Sequence, residues 1–375
     1  MSFLASSPSM SSRAGFEWPI ILVSLILSGM GLGLIFSATA PMGEAGRIFV
    51  LKQMTWCSLG LVLVAVFLLF DYHILERWAV WFYVAIIIAL LVAYGSGKVA
   101  GGSKRWLEVG FMRFQPSEFA KLAVVMILAK YFQHRAGRGD QNLKDLLAPA
   151  MLVLIPVVLV LVQPDLGTAG VIVLIAGSMT LFAGVGRRAL LWAGALILCS
   201  APILLLVGDR FLMEYQKKRL LAFFNPHYEP LGAGYHIIQS QIAIGSGGAL
   251  GKGFMEGTQN QLMFLPVKHT DFIFSVLAEE WGFIGCMVVF LLFAVVFMRG
   301  LAVAGQARDD FGALAAFGCT MVLFWHVVIN VGMVTGLLPV VGVPLSFLSY
   351  GGSSFLASVL AVAVIVNVSM RRFSY

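Results

Sequence analysis

Long apolar runs recur along nearly the whole chain, and they restrict its fold more than any other feature of the sequence. Most of these runs are long enough to cross about 30 Å of hydrocarbon as a helix. Charged residues make up only 11% of the 375 residues, against roughly 25% in an ordinary soluble domain. Because peptide groups in lipid must be paired within their own element, the runs predict helices. We therefore predict an all-α, polytopic integral membrane protein with a single transmembrane domain over residues 1–375.

The apolar pattern predicts about ten transmembrane helices. The predicted spans cover residues 18–38, 49–70, 75–95, 116–132, 146–162, 167–184, 189–208, 272–298, 311–335 and 345–369. An even number of spans places both termini on one side, and the excess of Lys and Arg in the short loops of that side favours the cytoplasm. Residues 1–17 are then a cytoplasmic tail. Residues 209–271, between the seventh and eighth spans, form a long structured extracellular loop.

The charge balance and several motifs exclude whole classes of function. The net charge of +7 is small for this length and is spread among the loops, so it suggests anionic headgroups or phosphate-bearing ligands and no nucleic acid. The glycines between positions 245 and 253 lack the spacing of a nucleotide phosphate loop. The four cysteines lie inside apolar runs and have neither metal-ligand nor disulfide spacing.

Two outer loops, residues 96–117 and 209–271, combine glycines, aromatic residues and cations. Long structured loops usually have a function. The second loop contains a cationic start at 213–224 and an amphipathic stretch at 235–244. Its cations and those of the first loop either meet lipid phosphates or bind a phosphate-bearing ligand, and both interpretations stay open. These cations are Lys104, Arg105, Lys217, Lys218, Arg219 and Lys252.

A few ionisable or polar side chains fall within or beside the predicted spans, where the cost of burying them makes each a functional candidate. Glu118 and Lys121 are three residues apart on one helical face, so they form either a structural ion pair or part of a site. Asp165 lies in the break between the fifth and sixth spans and is a candidate ligand or metal contact. His326 and Asn330, four residues apart on the ninth span, fit a hydrogen bond between helices better than a ligand set.

The richest candidate site lies where the eighth span begins. Asp271 is followed there by Ser275, Ala278 and Glu279 on or near one helical face. A small and acidic face is unsuited to lipid, so it predicts a cavity. Asp271 itself fits both a helix N-cap and a catalytic carboxylate, and the two interpretations are evenly balanced on position alone.

Several motifs, in order along nearly the whole chain, resemble those of the SEDS family of cell-wall polymerases. They occur at residues 102–106, 114–121, 163–167, 225–226, 232–236, 269–274 and 344–353. Within the family, residues 234–248 resemble the elongation member more than its division relative.

The resemblance implies an inner-membrane peptidoglycan glycosyltransferase that polymerises lipid II during cell elongation, with its active site facing the periplasm. The essential aspartate of the family corresponds to Asp271, which would be the general base on the acceptor 4-hydroxyl in an inverting transfer. Lys268 and His269 would keep that carboxylate ionised, or His269 would itself be the base. The candidate substrate-binding residues are Lys104, Arg105, Glu118, Lys121, Asp165, Lys217, Lys218, Arg219, Lys252, Lys268, His269 and Glu279.

The same resemblance implies a cofactor and partners. Mg²⁺ or Mn²⁺ would be held by Asp271 and Asp165, with Glu279 as a further candidate oxygen ligand. The partners would be lipid II as substrate, a class B penicillin-binding protein transpeptidase and other membrane proteins of the elongation complex. A lipid II flippase is the alternative function, and it requires charge near the membrane midplane, whereas the candidate acidic residues map to the outer half.

Overall fold

The computed structural model describes residues 16–96, 98–100, 103–109, 112–133, 146–184, 219, 221–225, 232–264 and 268–372, and these residues are mostly helical. The helices are α1 (Trp18–Thr39), α2 (Glu44–Leu69), α3 (His73–Ser96), α4 (Pro116–Phe132), α5 (Leu147–Val162), α6 (Leu166–Phe182), α7 (Ala233–Ser246), α8 (Thr258–Gln261), α9 (Ile273–Gly305), α10 (Asp310–Val334) and α11 (Gly352–Arg371). The strands are β1 (Lys98–Ala100), β2 (Ser103–Val109) and β3 (Met112–Phe114).

Nine of the ten predicted spans coincide with helices of the structure. Six of them, α1, α2, α3, α9, α10 and α11, are long and apolar enough to cross a membrane, and α5 and α6 are shorter apolar helices. The seventh predicted span, 189–208, lies outside the described residues, as do Lys217, Lys218 and the tail up to residue 15. The total of ten crossings, the single domain and the limits of the long loop therefore stay predictions.

Helix α4 lies at the centre of the bundle. It packs against α3, α6 and α10, and nearly all of its residues are buried, including the charged Glu118 and Lys121. A helix that is enclosed on every side needs no polar face. By contrast, most side chains of α2 are exposed and apolar, as expected for a helix that faces lipid.

The predicted tenth span is wrong at its start, because α11 begins at Gly352 and not at residue 345. Residues 336–351, which join α10 to α11, are non-helical and are called the connecting segment below. Leu345 and Leu348 of this segment are buried all the same. Pro344 has no N–H to offer a helix and disfavours helical geometry in the residue before it. The apolar composition that suggested a span reflects burial of irregular backbone inside the bundle.

A three-stranded antiparallel sheet lies between α3 and α4, and the all-α prediction missed it. Strand β2 pairs with both neighbours, with Val99 opposite Lys104 and Leu107 opposite Phe114. The sheet packs against α3 and α4. Its strands are three to seven residues long, too short for an alternating pattern to stand out in so apolar a chain.

Helix α9 is kinked at Gly282, where φ is +63° and ψ is −163°. The glycine run of residues 245–253 fits against this kink. The Phe283 N–H, which the kink leaves without a helical partner, donates to the Gly248 carbonyl at 2.9 Å, and further main-chain bonds join the run to α9. A Cβ on Gly282 would lie 2.3 Å from the Gly251 nitrogen. The run is therefore a packing element of the fold, which agrees with its failure to match a nucleotide loop.

We expect Gly282→Ala to lower the free energy of unfolding by about 2–4 kcal/mol, because the change adds backbone strain and a steric clash at once. Thermal unfolding of the detergent-solubilised protein measures the loss. Gly245→Ala is the matched control, since no atom lies within 4 Å of its added Cβ and alanine favours the helix by about 0.5–1 kcal/mol. Equal melting temperatures for the two variants would contradict the account of the kink.

Candidate active site

Asp271 lies in the turn Lys268–Phe272 that leads into α9. The N-cap position of α9 is Phe272, which makes no side-chain capping bond. The interpretation of Asp271 as an N-cap is therefore wrong. Asp271 as a residue is half-buried, so it remains a candidate for contact with a ligand.

The connecting segment runs beside this turn and fixes its main chain. The Tyr350 N–H donates to the His269 carbonyl at 2.8 Å. The Ser349 hydroxyl donates to the Thr270 carbonyl at 2.6 Å. Two consecutive carbonyls just before Asp271 are thus held by side-by-side residues of the connecting segment.

Asn330 of α10 holds the next carbonyl. Its Nδ2 donates to the Asp271 carbonyl at 2.9 Å and to the Val343 carbonyl at 2.8 Å. Gly342, beside Val343, has φ +72°, and a Cβ there would lie 3.3 Å from Oδ2 of Asp271. The connecting segment therefore forms one wall of the recess that contains the carboxylate.

Burial and three nearby charges set the pKa of Asp271. Burial is the largest influence and raises this pKa from its usual 3.8 to about 6. The charges of Arg219 and Arg105 lower it, as does a hydrogen bond from Thr270, while the charge of Asp165 raises it. Three of the residues predicted to bind substrate therefore lie within electrostatic reach of Asp271.

Lys268 does not have the predicted role of keeping Asp271 ionised. Its side chain is buried and its Nζ donates to the Asn260 carbonyl. Burial lowers the pKa of Lys268 to about 8, while Glu280 and Glu279 act to raise it. The positive charge that opposes the effect of burial on Asp271 comes instead from the two arginines.

His269 is also turned to other partners. Its ring centroid lies 4.7 Å from that of Phe49 and 5.6 Å from that of Tyr350. Burial, together with the charge of Lys268, lowers the pKa of His269. The ring is therefore neutral near pH 7 and supplies no charge to Asp271, which is a second correction to the predicted electrostatics.

Arg105 and Asp165 are joined at the turn between α5 and α6. Arg105 of β2 donates through Nε to the Gln163 carbonyl at 2.8 Å and through a second nitrogen to the Pro164 carbonyl. A third nitrogen lies 3.5 Å from Oδ2 of Asp165. The other oxygen of Asp165 caps α6 by accepting the Thr168 N–H at 3.1 Å. The arginine fork thus holds this turn, and its charge acts on Asp271 from a fixed position.

Both carboxylate oxygens of Asp165 already have partners in the protein, which counts against their predicted role as metal ligands. Mg²⁺ and Mn²⁺ prefer several oxygen ligands in near-octahedral geometry. In the part of the chain that the structure describes, no group of three His, Cys, Asp or Glu side chains converges to hold a metal ion. Asp165 already accepts a main-chain bond and faces Arg105. These residues do not fit a resident cation held by the protein alone.

Glu118, Lys121 and His326 form a buried chain of polar contacts. Lys121 Nζ donates to Glu118 at 2.9 Å and to Nε2 of His326 at 2.6 Å. Nδ1 of His326 lies 3.2 Å from the Pro344 carbonyl, which only accepts, so the neutral ring carries its proton on Nδ1. The predicted ion pair is confirmed, and the predicted contact between helices is confirmed for His326 but not for Asn330, which bonds to the carbonyls of Asp271 and Val343 outside the helices. This series of polar contacts ends at the Pro344 carbonyl and so helps to hold the connecting segment.

Glu279 and Lys252 pair with each other at 2.7 Å. Glu279 also accepts the main-chain N–H groups of Gln259 and Asn260 at the start of α8. Both side chains therefore hold the loop that carries α8. Their predicted role in binding substrate has no support in this geometry.

The predicted cavity along the small face of α9 does not extend over Ser275 and Ala278, because α7 covers the face there. Ser275 is buried and lies 2.7 Å, hydroxyl to hydroxyl, from Ser240 of α7. Gly247, just after α7, sits against the Ala278 carbonyl so closely that a Cβ would overlap it. Small residues here allow two helices to approach each other.

Three predicted lysines have side chains outside the described residues, and two residues that were not predicted belong to the site. The main chain of Lys104 lies in β2, and its side chain lies outside the described residues together with Lys217 and Lys218. Asn330 and Gly342, which sequence reasoning did not assign to the site, define the recess. The only available signal was the polar position of Asn330 in an apolar span, and that signal does not distinguish a bond between helices from a bond to a turn.

Comparison with known proteins finds a family that matches nearly the whole chain. The cell cycle protein family FTSW_RODA_SPOVE matches residues 17–373. The peptidoglycan glycosyltransferase MrdB of Escherichia coli (strain K12) is 40% identical over 343 residues, which cover 90% of this chain and 91% of that protein. The peptidoglycan glycosyltransferase RodA of Treponema pallidum is 32% identical, with 95% of this chain and 98% of that protein covered.

Two solved structures are similar over nearly their full length. A chain from a structure described as "Structural coordination of polymerization and crosslinking by a peptidoglycan synthase complex" superposes with a TM-score of 0.81 and 28% identity, covering 96% of this chain and 99% of that chain. The rod shape determining protein RodA of Thermus thermophilus superposes with a TM-score of 0.71 and 25% identity, covering 98% and 100%.

Proposed function

Because the chain belongs to the FtsW/RodA/SpoVE family of cell cycle proteins, the SEDS family, we propose that it is a peptidoglycan glycosyltransferase of cell elongation that polymerises lipid II. Its similarity to MrdB and RodA supports this activity. The observation that carries the proposal is the carboxylate of one half-buried residue, Asp271, which is fixed through its main chain and within reach of two arginine charges.

Asp271 is the proposed general base. The sugar 4-hydroxyl of the acceptor is a poor nucleophile, and a carboxylate within hydrogen-bond reach takes its proton as the oxygen attacks the anomeric carbon of the donor. The bond from that carbon to the pyrophosphate oxygen breaks, and its electron pair leaves with the pyrophosphate. Attack opposite the leaving group inverts the anomeric carbon in a single displacement.

Arg219 is the described cation best suited to the leaving pyrophosphate. Its charge acts on Asp271 more strongly than that of Arg105, and its side chain reaches the Val340 carbonyl of the connecting segment at 3.3 Å. Arg105 is committed to the carbonyls of Gln163 and Pro164. A fixed cation beside a developing negative charge stabilises the transition state.

The apolar helices and the family support a multi-pass protein of the inner membrane. For its orientation, we place both termini in the cytoplasm and Asp271 on the periplasmic side, as the distribution of Lys and Arg in the short loops favours. Labelling of single cysteines near Asp271 by a membrane-impermeant reagent tests this orientation, and protection from outside would contradict it.

A flippase is the weaker alternative. It needs charged groups through the middle of the bilayer to guide a charged headgroup. Helices α9 and α10 carry no Asp, Glu, Lys or Arg between Trp281 and Met298 or between Phe311 and Val334. Charge is concentrated near the helix ends, which favours transfer at one surface over passage across the membrane.

The proposed protein partner is a class B penicillin-binding protein that crosslinks the strands. A solved structure described as a peptidoglycan synthase complex of polymerization and crosslinking supports such a partner. The outward side chains of α9 are large and apolar, among them Phe283, Leu291 and Met298, and they suit a partner's membrane helix as well as lipid. Co-purification of the two proteins in mild detergent tests the pairing, and their complete separation would count against it.

We expect Asp271→Asn and Asp271→Ala each to reduce glycan polymerisation from lipid II by about 10²–10⁴-fold, because both remove the base. Product length and amount are measured with purified protein, with and without the transpeptidase partner. The amide variant keeps the volume of the side chain, so its inactivity isolates the loss of the proton acceptor.

Asp309→Asn is the control for these variants. Asp309 also begins a turn at a helix end, where it caps α10 by accepting the Gly312 N–H, but it lies at the opposite end of α10 from Asn330, about 30 Å away at 1.5 Å per residue. Its amide variant should polymerise normally. Full-length strands from Asp271→Asn would exclude the proposed mechanism.

We expect the acid limb of kcat/KM to lie near pH 6, since a general base must be ionised and burial raises the pKa of Asp271 to about 6. Activity at pH 5 should be roughly tenfold lower than at pH 8. Arg219→Met should move the limb to higher pH and Asp165→Asn to lower pH, because Arg219 lowers this pKa and Asp165 raises it.

The same pKa gives a separate expectation for stability. A carboxyl group whose pKa rises on folding, here from 3.8 to about 6, adds stability below that window and loses it as the pH rises through it. Protonation of Asp271 at pH 5 therefore does not destabilise the fold. An unchanged melting temperature at that pH would show that activity is lost because the base is protonated and not because the protein unfolds. An acid limb of kcat/KM near pH 4 that neither Arg219→Met nor Asp165→Asn moves would contradict the assignment of this limb to Asp271.

The requirement for Mg²⁺ or Mn²⁺ is a proposal that rests on the family resemblance. We expect EDTA to stop polymerisation and either cation to restore it, as measured in the same assay with metal-free lipid II. EDTA saturated beforehand with Mg²⁺, at equal concentration, controls for effects of the chelator itself on the lipid. Full activity after exhaustive chelation would remove the cation from the proposed reaction.

A further inference from the structure

We propose that Asn330 is a positioning residue for Asp271, and that its side-chain amide sets the distance between the general base and the wall of its recess. This inference rests on the proposed function. Asn330 lies near the outer end of α10 and is fully buried. Its Nδ2 joins the Asp271 carbonyl and the Val343 carbonyl, at 2.9 Å and 2.8 Å.

Both bonded carbonyls belong to irregular backbone. Asp271 precedes α9 and Val343 lies in the connecting segment, so neither carbonyl is part of a helical ladder. The two acceptors also fix which end of the amide is nitrogen, because an oxygen in that place would face two other oxygens. Both N–H groups of the Asn330 amide are thus used in hydrogen bonds. These bonds join two segments that are 72 positions apart in the chain, from Asp271 to Val343.

The bond to Val343 reaches the carboxylate through Gly342. That glycine has φ +72°, and its Cα faces Asp271 so closely that a Cβ would lie 3.3 Å from Oδ2. A shift of the Val343 carbonyl therefore moves the wall that borders the carboxylate. Misplacing a catalytic group by about 1 Å reduces its rate by as much as 10²-fold, so this support bears on the rate more than on substrate affinity.

A second side chain of α10 fixes the same segment. His326, one turn before Asn330, holds the adjacent Pro344 carbonyl at 3.2 Å and is itself held by Lys121 of α4 at 2.6 Å. Two consecutive carbonyls are thus bound by two residues of one rigid helix. The helix supplies the frame, and Asn330 is the member of the pair that also contacts the catalytic residue.

Asn367 offers a matched control within the same chain. It is equally buried near the other end of the bundle, and its Nδ2 also donates to two backbone carbonyls, those of Phe67 at 3.0 Å and Phe70 at 2.9 Å. Removal of either amide leaves two carbonyl acceptors without that donor, and Asn367→Ala also removes the Oδ1 that accepts from Arg371 at 2.8 Å, so a loss of stability at least as large is expected from the control. Only Asn330 touches the segment that carries Asp271.

The test compares Asn330→Ala, Asn330→Ser, Asn367→Ala and Asp271→Asn in the lipid II polymerisation assay, with melting temperatures measured on the same preparations. We expect Asn330→Ala to lower kcat by about 10- to 100-fold with KM within about threefold of wild type. Asn330→Ser, which keeps one donor, should fall between Asn330→Ala and wild type. Asn367→Ala should have a melting temperature reduced at least as much and keep its kcat.

Each outcome decides the proposal. Asn330→Ala with a kcat near that of wild type, or Asn367→Ala with an equal loss of kcat, would overturn it. If both Asn330 variants fail to fold while Asn367→Ala folds, Asn330 is a stability residue and the proposal fails. If Asp271→Asn is inactive and Asn330→Ala is active, only the positioning role is lost. An active Asp271→Asn would instead remove the proposed function itself.

Discussion

Irregular backbone buried inside a helical membrane bundle needs a hydrogen-bond partner for each peptide group, and this requirement governs the part of the structure around Asp271. The connecting segment meets it with side chains: Arg219 at the Val340 carbonyl, Asn330 at Val343 and His326 at Pro344. Leaving a buried carbonyl unpaired costs about 1–3 kcal/mol of folding free energy, so each of these donors also restricts where the segment lies. The turn that carries Asp271 is bonded to the same segment at two successive carbonyls, those of His269 and Thr270, and the next carbonyl, that of Asp271 itself, is bonded to Asn330 of α10. The shape of the recess thus follows from the way the peptide groups are paired.

The kink in α9 obeys the same requirement by a different means. At Gly282 the helix breaks its own ladder, and the glycine run after α7 supplies main-chain partners on both sides of the break. Only residues without side chains allow the two backbones to approach so closely. Glu279 and Lys252 then hold the loop that follows, through the start of α8. These two polar residues therefore shape the loop that carries α8.

The sequence predicted those parts of the fold and site that depend on local periodicity. Long apolar runs located nine helices, and the three-residue spacing of Glu118 and Lys121 predicted their ion pair. It could not predict features that depend on contacts between distant segments. The apolar residues after Val340 fit a membrane span as well as buried coil, and Lys268 stands three residues from Asp271 yet turns to Asn260. The small face of α9 fits a cavity or a neighbouring helix equally well, and only the position of α7 distinguishes them.

The backbone carbonyls around Asp271 also hold the charges that act on its carboxylate. Burial raises the pKa of Asp271, and the arginines that oppose this effect are themselves fixed by backbone carbonyls, Arg219 at Val340 and Arg105 at Gln163 and Pro164. The carbonyls that hold these cations belong to segments that meet beside Asp271, since a Cβ on Gly167 of α6 would lie 2.5 Å from the Val341 oxygen. A displacement of the connecting segment would therefore change both the position of the proposed base and the charges that set its ionisation. Positioning and basicity share one support, so a single change in that support alters both.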